Sequence, residues 1–216
     1  MQRLSLSVGG SARRILALGA HSDDIEIGCG GTLLRLVQES RELDVTWVVF
    51  CSTPERAREA EASAEQFLDG AAHRRIVIKS HRDGFLPMDW AAVKEEFEQL
   101  KREVSPDLIL THYREDRHQD HRVVSELTWN TWRNHLIWEF EIPKYDGDFG
   151  SPNLFVPLSA ATLERKIALV LKAFPTQAGK AWFTADLFHA VARIRGMECQ
   201  AEELLAEAFY VRKLVV

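Results

Sequence analysis

This sequence predicts an α/β fold with a mainly parallel sheet flanked by helices. Short β-branched and apolar runs alternate with helix-patterned segments through the first half of the chain. Two of those runs end abruptly in clusters of histidine and aspartate. Strands that alternate with helices form a parallel sheet covered on both faces, and such a sheet presents its ligand crevice at the carboxyl ends of its strands.

Residues 14–20 read as the first strand, and 32–38 carry the apolar spacing of the helix that follows. The run DVTWVVFC at 44–51 is β-branched and aromatic, and 55–68 is rich in Ala, Glu and Arg, which favour helix. A third strand is expected at 75–79. The helix at 91–103 places Val93, Phe97 and Leu100 on one stripe, and 107–111 reads as a fourth strand. Beyond it the pattern weakens. Strands are expected at 135–142 and 154–158, helices at 159–172 and 183–195, and a closing strand at 208–216. The turn-rich segment between the first two of these, within 141–157, reads as a loop over the site or at a subunit contact.

At 216 residues and 46% hydrophobic, the chain can bury a substantial core and is expected to form one domain over 1–216. A net charge of −5 argues against a broad cationic face for nucleic acid. No stretch approaches the roughly 20 apolar residues that cross a bilayer, and residues 1–10 lack the apolar core of a secretory signal. A cytoplasmic protein is therefore expected. Cys29, Cys51 and Cys199 lack CxxC spacing and read as buried small hydrophobes rather than disulfide or thiolate metal partners.

The first strand runs into His21, Asp23 and Asp24, and the fourth runs into a stretch that contains Asp116, His118, Asp120 and His121. Imidazole and carboxylate are the usual nitrogen and oxygen ligands of zinc, and a hydrolytic site uses three protein ligands with a position left for water. His21, Asp24 and His121 meet that requirement. Asp23 and Asp24, read as extended, point to opposite sides, so one can ligate while the other handles protons. His118 and His121 are three apart and share a face if the chain is helical from Gln119 onward. One binds metal while its neighbour contacts substrate. Asp120 is the candidate to orient the ligand histidines from behind, and His112 reads as structural. The glycines of Gly28-Cys29-Gly30-Gly31 lack dinucleotide-loop spacing and read as close packing of the first helix on the sheet.

The run His21-Ser22-Asp23-Asp24-Ile25-Glu26-Ile27-Gly28-Cys29-Gly30-Gly31-Thr32-Leu33 resembles the N-terminal signature of the LmbE-like, or PIG-L, family of metal-dependent N-deacetylases, usually HPDDExxGCGGTL. Asp116-Arg117-His118-Gln119-Asp120-His121 resembles its downstream HxDH element. The resemblance implies a Rossmann-like three-layer fold, zinc or another divalent metal on His21, Asp24 and His121, Asp23 as general base, and His118 as electrostatic partner or acid. It further implies substrate contacts from Arg56 and Asp83. Ser22 stands where the family has proline, Ile25 interrupts the DDE run, and Asp116 stands where some relatives place tyrosine. The implied activity is removal of the acetyl group from an N-acetylated amino sugar, with a small-molecule substrate and a homo-oligomer left open. Two alternatives remain: an amidase for a thiol-sugar conjugate, and a noncatalytic carbohydrate-binding relative.

Overall fold

The computed structural model describes residues 14–40 and 42–215. Seven strands form one sheet in the order β3-β2-β1-β4-β5-β7-β6. The strands are β1 (Arg14–Gly19), β2 (Asp44–Cys51), β3 (His73–His81), β4 (Leu108–His112), β5 (Leu136–Phe140), β6 (Leu154–Pro157) and β7 (Ala206–Val211). The first five pair in parallel, whereas β7 runs antiparallel to both β5 and β6. The expected mainly parallel α/β sheet is therefore what forms, with an antiparallel edge.

The period-two pattern of the central strands sorts their side chains into two layers. Ile15 and Ala17 of β1, with Val45, Trp47 and Val49 of β2, pack against the helices α1 (Asp24–Glu39), α2 (Pro54–Phe67), α5 (Ala160–Ala173) and α6 (Ala185–Glu198). Leu16, Leu18, Val48 and Phe50 point the other way, onto α3 (Trp90–Glu103) and α4 (Gln119–Thr131). Both faces of β1 are thus dry, and its polar groups can sit only past its end.

Helix α1 begins at Asp24, eight residues before the helix expected at 32–38. Glycines hid its first half, because they lower helix propensity. They serve packing: a Cβ on Gly28 would collide with the Phe140 ring, and one on Gly30 would reach the Phe67 ring at 2.6 Å. The helix breaks at Cys29, where φ is −146°, and the freed N–H groups of Gly31 and Thr32 donate to the Glu207 carboxylate of β7 at 2.8 and 2.6 Å. Lys166 of α5 donates to the same carboxylate at 2.6 Å. The C-terminal strand thereby locks the helix that carries the first acidic pair.

Helix α4 begins at Gln119, the start on which the sequence reading was conditional, and the last strand stops at Val211 rather than at 216. Expected residues 1–10 and Val216 lie outside the described residues. Cys29, Cys51 and Cys199 are buried and free. Among the described residues no helix is long and apolar enough to cross a membrane.

Candidate active site

Strands β1 and β4 are neighbours, yet their following helices α1 and α4 lie on opposite faces of the sheet. A crevice opens at the carboxyl ends of such a strand pair. His21, Asp23 and Asp24 enter it from β1, and His118, Asp120 and His121 enter it from β4. His21 Nδ1 lies 3.1 Å from His121 Nε2 and 3.3 Å from Asp24 Oδ2, and the last two atoms are 3.5 Å apart. Donors at about 2.0–2.1 Å around a tetrahedral ion stand about 3.3 Å from one another. The three atoms thus have the spacing of three donors to one cation.

The surroundings aim those lone pairs inward. Asp116 Oδ2 accepts from His121 Nδ1 at 2.9 Å, which leaves the Nε2 lone pair of that ring free. On the far side of His21, Nε2 meets Asp120 Oδ2 at 3.2 Å and Asp83 Oδ1 at 3.0 Å. Asp120 is itself fixed by the Gly84 and Leu86 N–H groups at 2.6 and 3.1 Å. This is the arrangement in which carboxylates behind histidines set their tautomers. His112 stacks on His121, and its Nε2 accepts from the Ala20 N–H at 2.9 Å, so that lone pair is already used.

Electrostatics agree with a cation locus. Burial disfavours a charge on Asp24, but His121, His112 and His21 outweigh it and hold the carboxyl well below its usual range. Burial, then His112, pushes His121 down to about 3. Burial opposes charging His21 as well, yet Asp24, Asp120 and Asp83 raise it well above 6.5. A proton on His21 therefore balances the carboxylates where a divalent ion would otherwise do so.

Asp23 and Asp24 do point apart, for a reason other than strand alternation. Asp23 is the N-cap of α1 and Asp24 its first residue, so the turn of the helix separates them. Asp23 Oδ1 accepts from the Arg56 guanidinium at 2.6 Å, and its buried Oδ2 has no partner among the described residues. Burial is the largest influence on Asp23 and raises its pKa despite Arg56. Arg56, expected to contact substrate, here holds Asp23. Asp83, expected in the same role, touches His21 with a side chain that is 72% exposed.

His118 is the N-cap of α4 rather than part of it, so no shared helical face relates it to His121. The two rings still stack, with centroids 4.6 Å apart, and His118 meets His21 edge-on at 4.7 Å. Its Nδ1 accepts from the Asp120 N–H at 3.3 Å. Burial, then His21, lowers its pKa and so favours the neutral ring, and with Nδ1 accepting, the proton of that neutral ring is on Nε2.

The sequence reading missed two contributors. Asp116 stood in the quoted motif without a role, although its position five residues before His121 was visible. Lys144 had no signal at all. Its Nζ donates to Asp116 Oδ2 at 2.9 Å and contacts Asp148 Oδ2 at 2.5 Å, and Asp148 accepts from the Arg117 N–H at 2.7 Å. These bonds pin the 141–157 loop beside the site.

The profile of the PIG-L family, described as GlcNAc-PI de-N-acetylase, matches residues 16–132. That span holds both clusters and more than half of the chain. The chain belongs to the PIG-L family. Among solved structures, the N,N'-diacetylchitobiose deacetylase from Pyrococcus horikoshii superimposes with a TM-score of 0.72 at 19% identity, covering 96% of this chain and 86% of that one. GalB, the 4-carboxy-2-hydroxymuconate hydratase from Pseudomonas putida KT2440, has a TM-score of 0.71 at 18% identity, covering 94% and 98%. YaiS, an uncharacterized deacetylase of Escherichia coli (strain K12), is 56% identical over 34 residues, 16% of this chain and 18% of that protein. The matched piece is thus under a fifth of that curated relative. The two structural likenesses show the fold of this PIG-L member, a fold that one of those proteins uses as a deacetylase and the other as a hydratase.

Proposed function

We propose that this PIG-L protein is a metal-dependent N-deacetylase that hydrolyses the acetamide of an N-acetylated amino sugar, releasing acetate and a free amine. The observation that supports it best is the unpartnered, buried Oδ2 of Asp23 beside the His21, Asp24 and His121 donor set. Two imidazoles and one carboxylate suit zinc, with another divalent ion as the alternative. A divalent cation held there supplies Lewis acidity that acidifies water and polarises the acyl oxygen.

The chain's own groups do the rest. Asp23 takes the proton of the attacking water on Oδ2 while Arg56 holds Oδ1 in place. The neutral His118 ring offers Nε2–H to the acyl oxygen as charge develops on it, a role for a hydrogen-bond donor rather than for an imidazolium. The proton on Asp23 then passes to the amine nitrogen as the carbon–nitrogen bond breaks. Asp116, Asp120 and Asp83 keep the two ligand rings turned inward throughout.

A second reading comes from the GalB likeness, because water addition to a carbon–carbon double bond would use the same water-activating groups. One experiment separates them. N-acetylated amino sugars, acylated thiol-sugar conjugates and an unsaturated carboxylic acid are each incubated with the purified protein, with and without a chelator, and products are followed by mass spectrometry. Loss of an acetyl group that chelation stops, with acetate formed in equal amount, supports the proposal. Loss of another acyl group instead identifies the thiol-sugar amidase. Metal-dependent gain of water by an unsaturated acid with no acetyl loss overturns deacetylation in favour of hydration, and absence of any turnover by metal-loaded protein favours the carbohydrate-binding alternative.

A further inference from the structure

His21 is held from two sides. Nδ1 faces Asp24 and His121, while Nε2 lies 3.0 Å from Asp83 Oδ1 and 3.2 Å from Asp120 Oδ2. A sulfur stands on that second side. Cys51, the last residue of β2, places Sγ 3.9 Å from Asp120 Oδ2, and ligating atoms of His21, Cys51 and Asp120 all lie within 4.8 Å of one another. Around a tetrahedral zinc-like ion, nitrogen and oxygen donors are about 3.3 Å apart and a sulfur stands about 3.6 Å from either. The His21–Asp120 and Cys51–Asp120 separations of 3.2 and 3.9 Å are each within about 0.3 Å of those values, and Asp83 Oδ1 lies 3.0 Å from the same His21 nitrogen.

The other thiols differ. Cys29 Sγ approaches the Ile25 carbonyl at 3.3 Å and Cys199 Sγ the Gly196 carbonyl at 3.6 Å, each turned onto its own helix. Apart from Asp120, the contact of Cys51 Sγ is the Arg82 carbonyl at 3.8 Å. Cys51 alone among the three thiols has carboxylate and imidazole donors around it.

We propose that Cys51, Asp120 and His21 Nε2, with Asp83 beside that nitrogen, form a second cation site, separate from the His21 Nδ1, Asp24 and His121 set, that takes soft divalent ions such as cadmium or excess zinc. A thiolate selects softer ions over magnesium or calcium, and the exposed Asp83 provides the entrance from solvent. Binding replaces the Cys51 thiol proton and the His21 Nε2 proton, and both pass to solvent, so no oxidant or reductant takes part. An ion there also withdraws from His21 the two carboxylates that orient its ring. Occupancy of the second site therefore weakens the first, and excess soft metal inhibits turnover. That inhibition rests on the hydrolase reading, whereas the binding itself does not.

The test is a cadmium titration of metal-free protein, followed by ultraviolet absorption of the cadmium–thiolate bond and by the number of ions bound. The expected result is a thiolate band in the wild-type chain that Cys51→Ser removes, while Cys51→Ser still binds one cadmium. Asp83→Asn, an exposed substitution, should weaken the band-forming event roughly tenfold or more, since even an outer partner of a metal ligand is worth that much. A wild-type titration without the band, or a band that persists in Cys51→Ser, overturns the site. Should Cys51→Ser fail to fold by circular dichroism, unchanged band formation in Asp83→Asn overturns it instead. Acetate release separates the two readings: no release under any condition counts against the hydrolase, while the absorption band still reports on the site.

Discussion

Asp116 Oδ2 lies 2.9 Å from His121 Nδ1 and also 2.9 Å from Lys144 Nζ, so one carboxylate oxygen joins a proposed metal ligand to the loop that follows β5. Burial works against the Asp116 charge, but His121 and Lys144 overcome it and hold the carboxyl far below its usual range. A charged acceptor keeps His121 protonated on Nδ1 and its Nε2 lone pair facing inward. Outer partners of this kind are worth about 10–100-fold in metal affinity. Asp116→Ala should therefore weaken metal binding by that order, measured by competition with a chromophoric chelator. Lys144→Met should weaken it less, because the carboxylate remains. Equal affinity in Asp116→Ala and wild type removes Asp116 from the site.

Asp23→Asn tests the base. The substitution keeps the volume and a hydrogen-bond acceptor for Arg56, yet cannot take up a proton. Metal content should stay near one per chain while kcat falls by about a hundredfold or more. The check is kcat against metal content on the same preparation. An unchanged kcat at full metal content eliminates Asp23. His121→Ala is the complementary variant: it should lose its metal on dialysis, and retention of one ion per chain contradicts its place among the ligands.

Metal binding should also depend on pH with a definite sign. His21 is raised well above 6.5 because its carboxylate neighbours outweigh burial, so in metal-free protein at neutral pH it carries a proton that a cation must displace. Affinity then rises with pH below the His21 pKa, by about tenfold per unit for one released proton, and levels off above it. Metal titrations at several pH values in a non-coordinating buffer measure the slope. A flat profile from acid to neutral pH contradicts a protonated His21.

How much of this was legible in the sequence depended on whether the signal was local. The β2 boundaries could be read to the residue because DVTWVVFC is β-branched and aromatic and is followed by Ser52, Thr53 and Pro54. The first half of α1 could not, since Gly28, Gly30 and Gly31 look like loop residues until Phe140 and Phe67 occupy the space they leave. In the candidate site, His21, Asp23, Asp24, His118 and His121 could be picked out because they cluster in the segments that follow β1 and β4. Asp116 was in view without a partner, and Lys144 lay in a loop whose position is set by contacts more than twenty residues away in sequence. Strand alternation gave the divergence of Asp23 and Asp24, but the helix start produces it.

Glu207 joins these levels of organisation, and its loss should show in stability before it shows in chemistry. Its carboxylate accepts from Gly31 N at 2.8 Å, Thr32 N at 2.6 Å, Thr32 Oγ1 at 2.6 Å and Lys166 Nζ at 2.6 Å, all within the core. Two of these donors are the N–H groups released where α1 breaks at Cys29. Glu207→Ala leaves them unpartnered at the positive end of a helix segment and strands the buried Lys166 ammonium, which retains the Ile27 carbonyl at 2.7 Å. Removing one member of a buried ion pair costs about 3–5 kcal/mol. A denaturant midpoint should fall accordingly, whereas Glu207→Gln, which keeps an acceptor oxygen, should lose less. If both variants match wild type in the midpoint and slope of unfolding, the broken helix does not need its cap. If Glu207→Ala is destabilised as expected, metal affinity measured below its unfolding midpoint should stay near wild type, because Asp24 sits on the segment of α1 before the break.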